Sequence, residues 1–182
     1  MELFGCRNRL QIEDARISFG GTLFTNKEHI MTHIFEVHER QDLYKQAVQF
    51  IWEQWGDQSN YNFYKDCIDH SSASNDLPKF YIAVQGEQSI IGCYALLRSD
   101  LNSRQDLYPW FACLFVAEEC RGKKVGALLQ NSAIEQIKKM GFDNLYLCTD
   151  LEGYYERFDW SFLDYGYLIN GHKTRIYRRT IK

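Results

Sequence analysis

The stretch Val116-Ala-Glu-Glu-Cys-Arg-Gly-Lys-Lys-Val-Gly-Ala-Leu-Leu-Gln130 changes from strand to helix at its middle. Before it runs the apolar, β-prone segment Trp110–Val116. After it, Val125, Leu128, Leu129, Ala133, Ile137 and Met140 recur at three- and four-residue intervals, the spacing of one helix face. Lys138 and Lys139 sit in the last turn and Gly141 follows as a stop. The hinge itself is Arg121-Gly122-Lys123-Lys124-Val125-Gly126-Ala127, with no Ser, Thr, Asp or Asn where a helix normally finds its cap. A helix start leaves its first N–H groups unpaired and partly positive. Gly122 and Gly126 would let an anion approach the main chain, and Arg121, Lys123 and Lys124 would add cationic donors. The pattern therefore suits a pyrophosphate, although a solvated basic turn is the plainer reading of these residues alone. A Walker loop is excluded, since GxxxxGK[ST] is absent. A dinucleotide fingerprint is disfavoured, since the glycines stand four apart and a β-meander precedes them.

Outward from the hinge, the 182 residues are most simply one domain, and a hydrophobic fraction of 45% allows a sizeable core. The net charge of -3 gives no basic stripe of the kind that binds nucleic acid. No apolar run is long enough to span a membrane. Six cysteines without a CxxC pair read as buried reduced thiols in a cytoplasmic protein, not as a metal site. Residues 1–30 read as an N-terminal extension, with a hairpin expected across Ala15–Thr25 around Gly20-Gly21. The core domain is expected over 31–182. Its order reads strand Ile34–His38, helix Asp42–Trp55, helix Tyr61–His70, strands Lys79–Val84 and Ile90–Leu97, and strand Asp106–Val116. The hinge helix follows, then strand Leu145–Cys148, a short helix Gly153–Phe158, and a closing hairpin Phe162–Ile169 and Thr174–Thr180 through Asn170-Gly171.

Two segments at matching spacing carry a resemblance. Leu114–Leu129, LFVAEECRGKKVGALL, is similar to the strand–loop–helix with [Q/R]xxGx[G/A] of the GNAT N-acetyltransferase superfamily. Arg121 and Gly126 fall on its first and last positions, and Lys124 falls where glycine is usual. Leu145–Leu163, LYLCTDLEGYYERFDWSFL, resembles the family's strand followed by "fYeklGF", with Asp159 in place of its glycine. The resemblance covers Ile34–Ile181. It implies an α/β fold of the α+β kind: a mixed, mostly antiparallel sheet, helices on both faces and a splayed central strand pair. It implies acetyl-CoA as co-substrate and no metal, with Arg121, Gly122, Lys123, Lys124, Val125, Gly126 and Ala127 at the pyrophosphate. Leu114, Phe115 and Val116 would offer backbone to the pantetheine arm.

The implied reaction is attack of a primary amine on a thioester. A lysine-like amine has a pKa of ~10.4, so its neutral form costs about 4–5 kcal/mol at neutral pH and a base is needed. By the resemblance Tyr155 is the acid for the leaving thiolate, with Tyr154 as its neighbour and competitor. No carboxylate lies in Trp110–Val116. Asp106 is the first choice of base, with Glu53 and Asp57 behind it, while Glu118 and Glu119 read as solvated. The acceptor wall is expected from the first two helices, with Glu53, Trp55 and Asp57 facing a cationic amine: a small amine, an aminoglycoside-like amine or a peptide. A member of another kind, which binds acyl-CoA as a sensor or scaffold without catalysis, is the alternative. Many members dimerise through late strands, so a homodimer is a further expectation.

Overall fold

A computed structural model of the chain describes residues 31–71 and 76–181. The hairpin expected at Ala15–Thr25 lies outside the described residues. Among the described residues, seven strands form one sheet in the order β1-β2-β3-β4-β5-β7-β6. They are β1 Thr32–Glu36, β2 Lys79–Gln85, β3 Ser89–Leu97, β4 Trp110–Val116, β5 Asn144–Thr149, β6 Ser161–Tyr167 and β7 Lys173–Thr180. Every neighbouring pair is antiparallel except β4 and β5.

The middle strands are apolar on both faces because both faces are covered. Six consecutive residues of β2, Lys79 to Val84, are buried, and so are seven of β3, Ile90 to Leu96. Such strands read as continuous apolar runs rather than as alternations. On one face lie α1 Tyr44–Trp55 and α2 Tyr61–Asp69, packed through Ala47, Val48, Ile51, Tyr64 and Ile68 onto Phe80, Ile82 and Val84. On the other lies α3 Val125–Lys139, packed through Val125, Leu129, Ala133 and Ile137 onto Ile91, Leu96, Leu114 and Leu147. One charged pair is buried between β1 and β2, where Lys79 Nζ meets Glu36 Oε2 at 2.7 Å.

Three expectations are corrected. The fourth strand begins at Trp110, not Asp106, because residues 106–109 form a loop ahead of it. The short element after β5 is a single 3-10 turn, Tyr155–Phe158. Cys148 is disulfide-bonded, whereas Cys67, Cys93, Cys113 and Cys120 are free thiols. No described helix is long and apolar enough to cross a membrane.

Candidate active site

The site begins with an extra residue in β4. Ala95 of β3 opposes Ala112, but Cys93 opposes Phe115, so two steps on one strand meet three on the other. Cys113 takes a φ of 54°, in the left-handed region. This is a bulge, which bends a strand and re-aims its side chains. Phe111, Leu114 and Val116 consequently share the α3 face, while Cys113 and Phe115 turn to the α1/α2 face. Gly92 permits the close approach of β3 at this point: a Cβ there would lie 2.8 Å from the Phe115 carbonyl oxygen.

Next to the bulge, β4 and β5 part. Their one registered pair is Trp110 with Tyr146, beside a hydrogen bond from Tyr146 N to Pro109 O at 3.0 Å. Beyond it the two strands carry no ladder, so a V opens toward Val116 and Thr149. Strand ends without a ladder leave backbone N–H and C=O groups available to a third, extended chain.

The V leads to the start of α3. Glu118–Cys120 makes a 3-10 turn, Gly122 adopts φ 73°, and Lys124 stands at the N-cap with φ 64°. No side chain caps α3, so its first N–H groups are not closed off from within the helix. Lys123 and Lys124 are exposed. Arg121 folds back over Phe115, its guanidinium carbon 5.8 Å from the ring centroid, and donates from Nε to Val116 O at 3.2 Å. Gly126 sits under the Tyr154 hydroxyl, where a Cβ would come within 3.0 Å of it. Ala127 completes the first turn.

The two tyrosines diverge. Tyr154 is half-buried, with its hydroxyl at Gly126 and Arg157 5.0 Å from its ring centroid. Tyr155 is buried in the core with Trp160 and Tyr177, at ring distances of 6.1 and 6.4 Å. Burial pushes the Tyr155 phenol well above its ordinary range, and Tyr154 adds to this. Burial raises Tyr154 as well. Both phenols therefore stay protonated at neutral pH.

The carboxylates named from sequence each have a partner of their own. Asp106 precedes the Trp110 end of β4, and Arg104 holds it through two hydrogen bonds of 2.9 and 2.8 Å. That pairing lowers its pKa, which weakens it as a base. Glu53 is exposed and accepts from Gln49 at 2.7 Å. Asp57 closes the α1–α2 turn by accepting from Ser59 N and Oγ at 2.7 and 2.5 Å, bonds that lower its pKa. Trp55 does approach, packing edge-on against Phe115 at 6.3 Å.

Asp100 arrives instead. It follows β3 in the loop to β4 and is 4% exposed. Its Oδ1 accepts from Leu101 N at 2.8 Å, and its Oδ2 lies 3.2 Å from Cys148 Sγ on β5. Counted from the Trp110–Tyr146 pair, Cys148 stands level with Ala112, one residue before the bulge. Asp100 thus sits where the V closes. Burial raises its carboxyl from 3.8 to about 6, partly offset by the Leu101 hydrogen bond. Beside it, on the α1/α2 face, is a cavity of about 530 Å³ lined by residues of α2 and of the β2 and β3 ends. One sequence feature marks this residue, an acid three positions after a strand buried from Ile90 to Leu96. Among the described residues no cluster of His, Cys, Asp and Glu could hold a metal ion.

Residues 34–160 match the acetyltransferase (GNAT) family. No curated protein sequence matches the chain. Among solved structures, an acetyltransferase of the GNAT family from Staphylococcus aureus is similar, with TM-score 0.60 at 19% identity, over 84% of this chain and all of that one. An aminoglycoside 6'-N-acetyltransferase complexed with coenzyme A gives TM-score 0.63 at 14% identity, over 82% of this chain and 97% of that one. A GNAT acetyltransferase from Streptococcus pneumoniae gives 0.58 at 13%, over 83% and 100%. At these identities the likeness is one of fold.

Proposed function

Since the chain belongs to the acetyltransferase (GNAT) family, we propose that it moves an acetyl group from acetyl-CoA to a primary, cationic amine by direct attack on the thioester. The observation that carries this reading is the continuity of an open V between β4 and β5 with a helix start that no side chain caps. An extended pantetheine arm fits the first, alongside Leu114, Phe115 and Val116. A pyrophosphate fits the second, on the N–H groups of Val125, Gly126 and Ala127. Lys123 and Lys124 would add charge, and Gly122 and Gly126 leave room for the approach. Arg121, folded onto β4, would brace the junction of the two.

The chemistry then needs three proton transfers. The ammonium of the acceptor loses one to Asp100, directly or through water. The neutral nitrogen attacks the carbonyl carbon, the C–N bond forms, and the C–S bond breaks with its electron pair going to sulfur. Tyr155 donates its phenolic proton to that thiolate, and the second proton of the acylated nitrogen leaves through water to restore the Tyr155 phenol. A phenol raised by burial is a weaker acid than a free one but is fully protonated when needed. Tyr154, whose hydroxyl stands at the first turn of α3, lies closer to the phosphates and would position the arm. Asp100 is the better base than Asp106 because its carboxyl, at about 6, is poised near the working pH and lies where the V closes.

The test is release of free thiol from acetyl-CoA against a panel of small amines, aminoglycosides and peptides. Amine-dependent release supports transfer. Uptake of coenzyme A by calorimetry without release against any amine would favour a non-catalytic acyl-CoA-binding module.

A further inference from the structure

A second cavity, of about 250 Å³, lies on the α3 face of the sheet, between β1, β2 and the second half of α3. Its charges are divided between two walls. One wall, β1 with the 3-10 turn Val37–Glu39 that follows it, presents Glu36 and Glu39. The other wall, α3, presents Gln136 and Lys139. Glu36 is answered within the fold, since its Oε2 meets Lys79 Nζ at 2.7 Å, but its Oε1 is buried without a hydrogen-bond partner. Glu39 is exposed and accepts from Glu36 N at 3.2 Å. Lys139 is exposed as well, and among the described residues no ion pair joins it to Glu39 across the space. Along α3 the rise from Val125 to Gln136 is roughly 16 Å, so this cavity is separate from the helix start proposed for the pyrophosphate.

We propose that the cavity binds a small neutral α-amino acid with an apolar side chain, at a site apart from the V. A lone cation would stand beside the Lys139 ammonium, and a lone anion beside the Glu39 carboxylate. A zwitterion gives each charge its opposite. Its ammonium meets Glu39, on the wall that also carries Glu36, and its carboxylate meets Lys139 and the Gln136 amide. Hydrogen bonds of this charged kind are roughly twice as strong as neutral ones. Ile34 and Met140, both partly buried, add an apolar strip for a short alkyl group. At ~30 Å³ per water the volume equals roughly eight waters, which sets the ligand at about eight non-hydrogen atoms.

L-valine has this size and charge pattern. Calorimetric titration into the full chain compares it with isobutylamine, which lacks the carboxylate, and with 3-methylbutanoate, which lacks the ammonium. L-valine is expected to bind at least about tenfold tighter than either. Glu39→Gln keeps an acceptor for Glu36 N and removes one charge. Lys139→Gln removes the other at an exposed position. Each should weaken L-valine about fivefold, the modest loss expected of solvent-exposed charges, and circular dichroism melts matching the native protein verify that both variants fold. Saturating coenzyme A should leave the affinity for L-valine unchanged. The proposal is overturned by no uptake of L-valine at ~10 mM, by equal or tighter binding of either analogue, by native affinity in either variant, or by displacement of L-valine by coenzyme A.

Discussion

Replacing Asp100 by asparagine keeps the shape and the acceptor for Leu101 N while removing the charge. The native carboxyl is 4% exposed and lifted from 3.8 to about 6 by burial. At ~1.36 kcal/mol per pKa unit, holding it ionised at neutral pH costs the fold about 3 kcal/mol, as an upper bound. The sign follows from proton binding. Between pH 4 and 6 the folded protein holds this proton and the unfolded chain releases it, so native stability falls as pH rises across that window. The favourable contribution is complete below about pH 4 and gone above about pH 6. Asp100→Asn lacks this loss. It should match the native protein near pH 4.5 to within about 1 kcal/mol and exceed it by about 2–3 kcal/mol at pH 7.5. At ~2–4 °C per kcal/mol for a domain of this size, that is a rise of about 5–10 °C in Tm. Circular dichroism melts of both proteins at the two pH values measure it, and the difference between them cancels every other titrating group. As the base, Asp100 must be ionised, so native kcat/KM should climb with pH through about 6, and Asp100→Asn should lose about 10²-fold or more in kcat without that limb. A variant less stable than native at pH 7.5 would refute the desolvation argument. A variant with native kcat would refute the base assignment.

Other substitutions separate the remaining roles. Tyr155→Phe should lower kcat about 10- to 10³-fold with the KM for acetyl-CoA unchanged, whereas Tyr154→Phe should act mainly on that KM; steady-state kinetics showing the reverse would exchange the two tyrosines. Gly126→Ala places a methyl 3.0 Å from the Tyr154 hydroxyl and should raise the KM for acetyl-CoA about tenfold, an effect absent if no ligand approaches the helix start. Lys124→Gly relieves a left-handed φ worth about 1 kcal/mol, so Tm should rise by about 3 °C while acetyl-CoA affinity falls severalfold at low salt. Asp106→Asn should leave kcat within about twofold of native, since its partner is Arg104 on the loop; a large loss would return Asp106 to the mechanism.

The elements that could be read in advance are those whose periodicity is set by a single covered face. Helix α3 is one, since its stripe of Val125, Leu129, Ala133 and Ile137 meets the sheet along its whole length. The bulge in β4 could not be read, because WFACLFV is apolar at every position and no alternation exists to break. Asp100 was hidden for a related reason. A carboxylate that folds back under a sheet from a loop obeys no period, and only the tertiary arrangement of β3, β5 and α2 gives it a role. The direction of Glu53 can be read from helix spacing. It lies two residues after buried Ile51, about 200° around α1, and so points away from the sheet. Trp55, four residues after Ile51, returns to the covered face and reaches Phe115.

The two departures from glycine in the family-like motifs carry a common physical content. Lys124 and Asp159 have φ values of 64° and 60°, a region that L-residues occupy at a cost of about 1–2 kcal/mol and glycine at none. Asp159 is a residue type that tolerates the region, and its position is tied down: Arg179 Nη1 reaches its carbonyl at 2.9 Å and its carboxylate at 3.0 Å. Lys124 has no such intrinsic tolerance, and its side chain is exposed. Strain that persists at the exposed start of a helix without a side-chain cap calls for an offset from outside the fold. On the proposed reading, a phosphate on the N–H groups that follow Lys124 would supply it. If the proposed phosphate binds here, strain at residue 124 and affinity for the anion share one local conformation, and the Lys124→Gly variant lowers both.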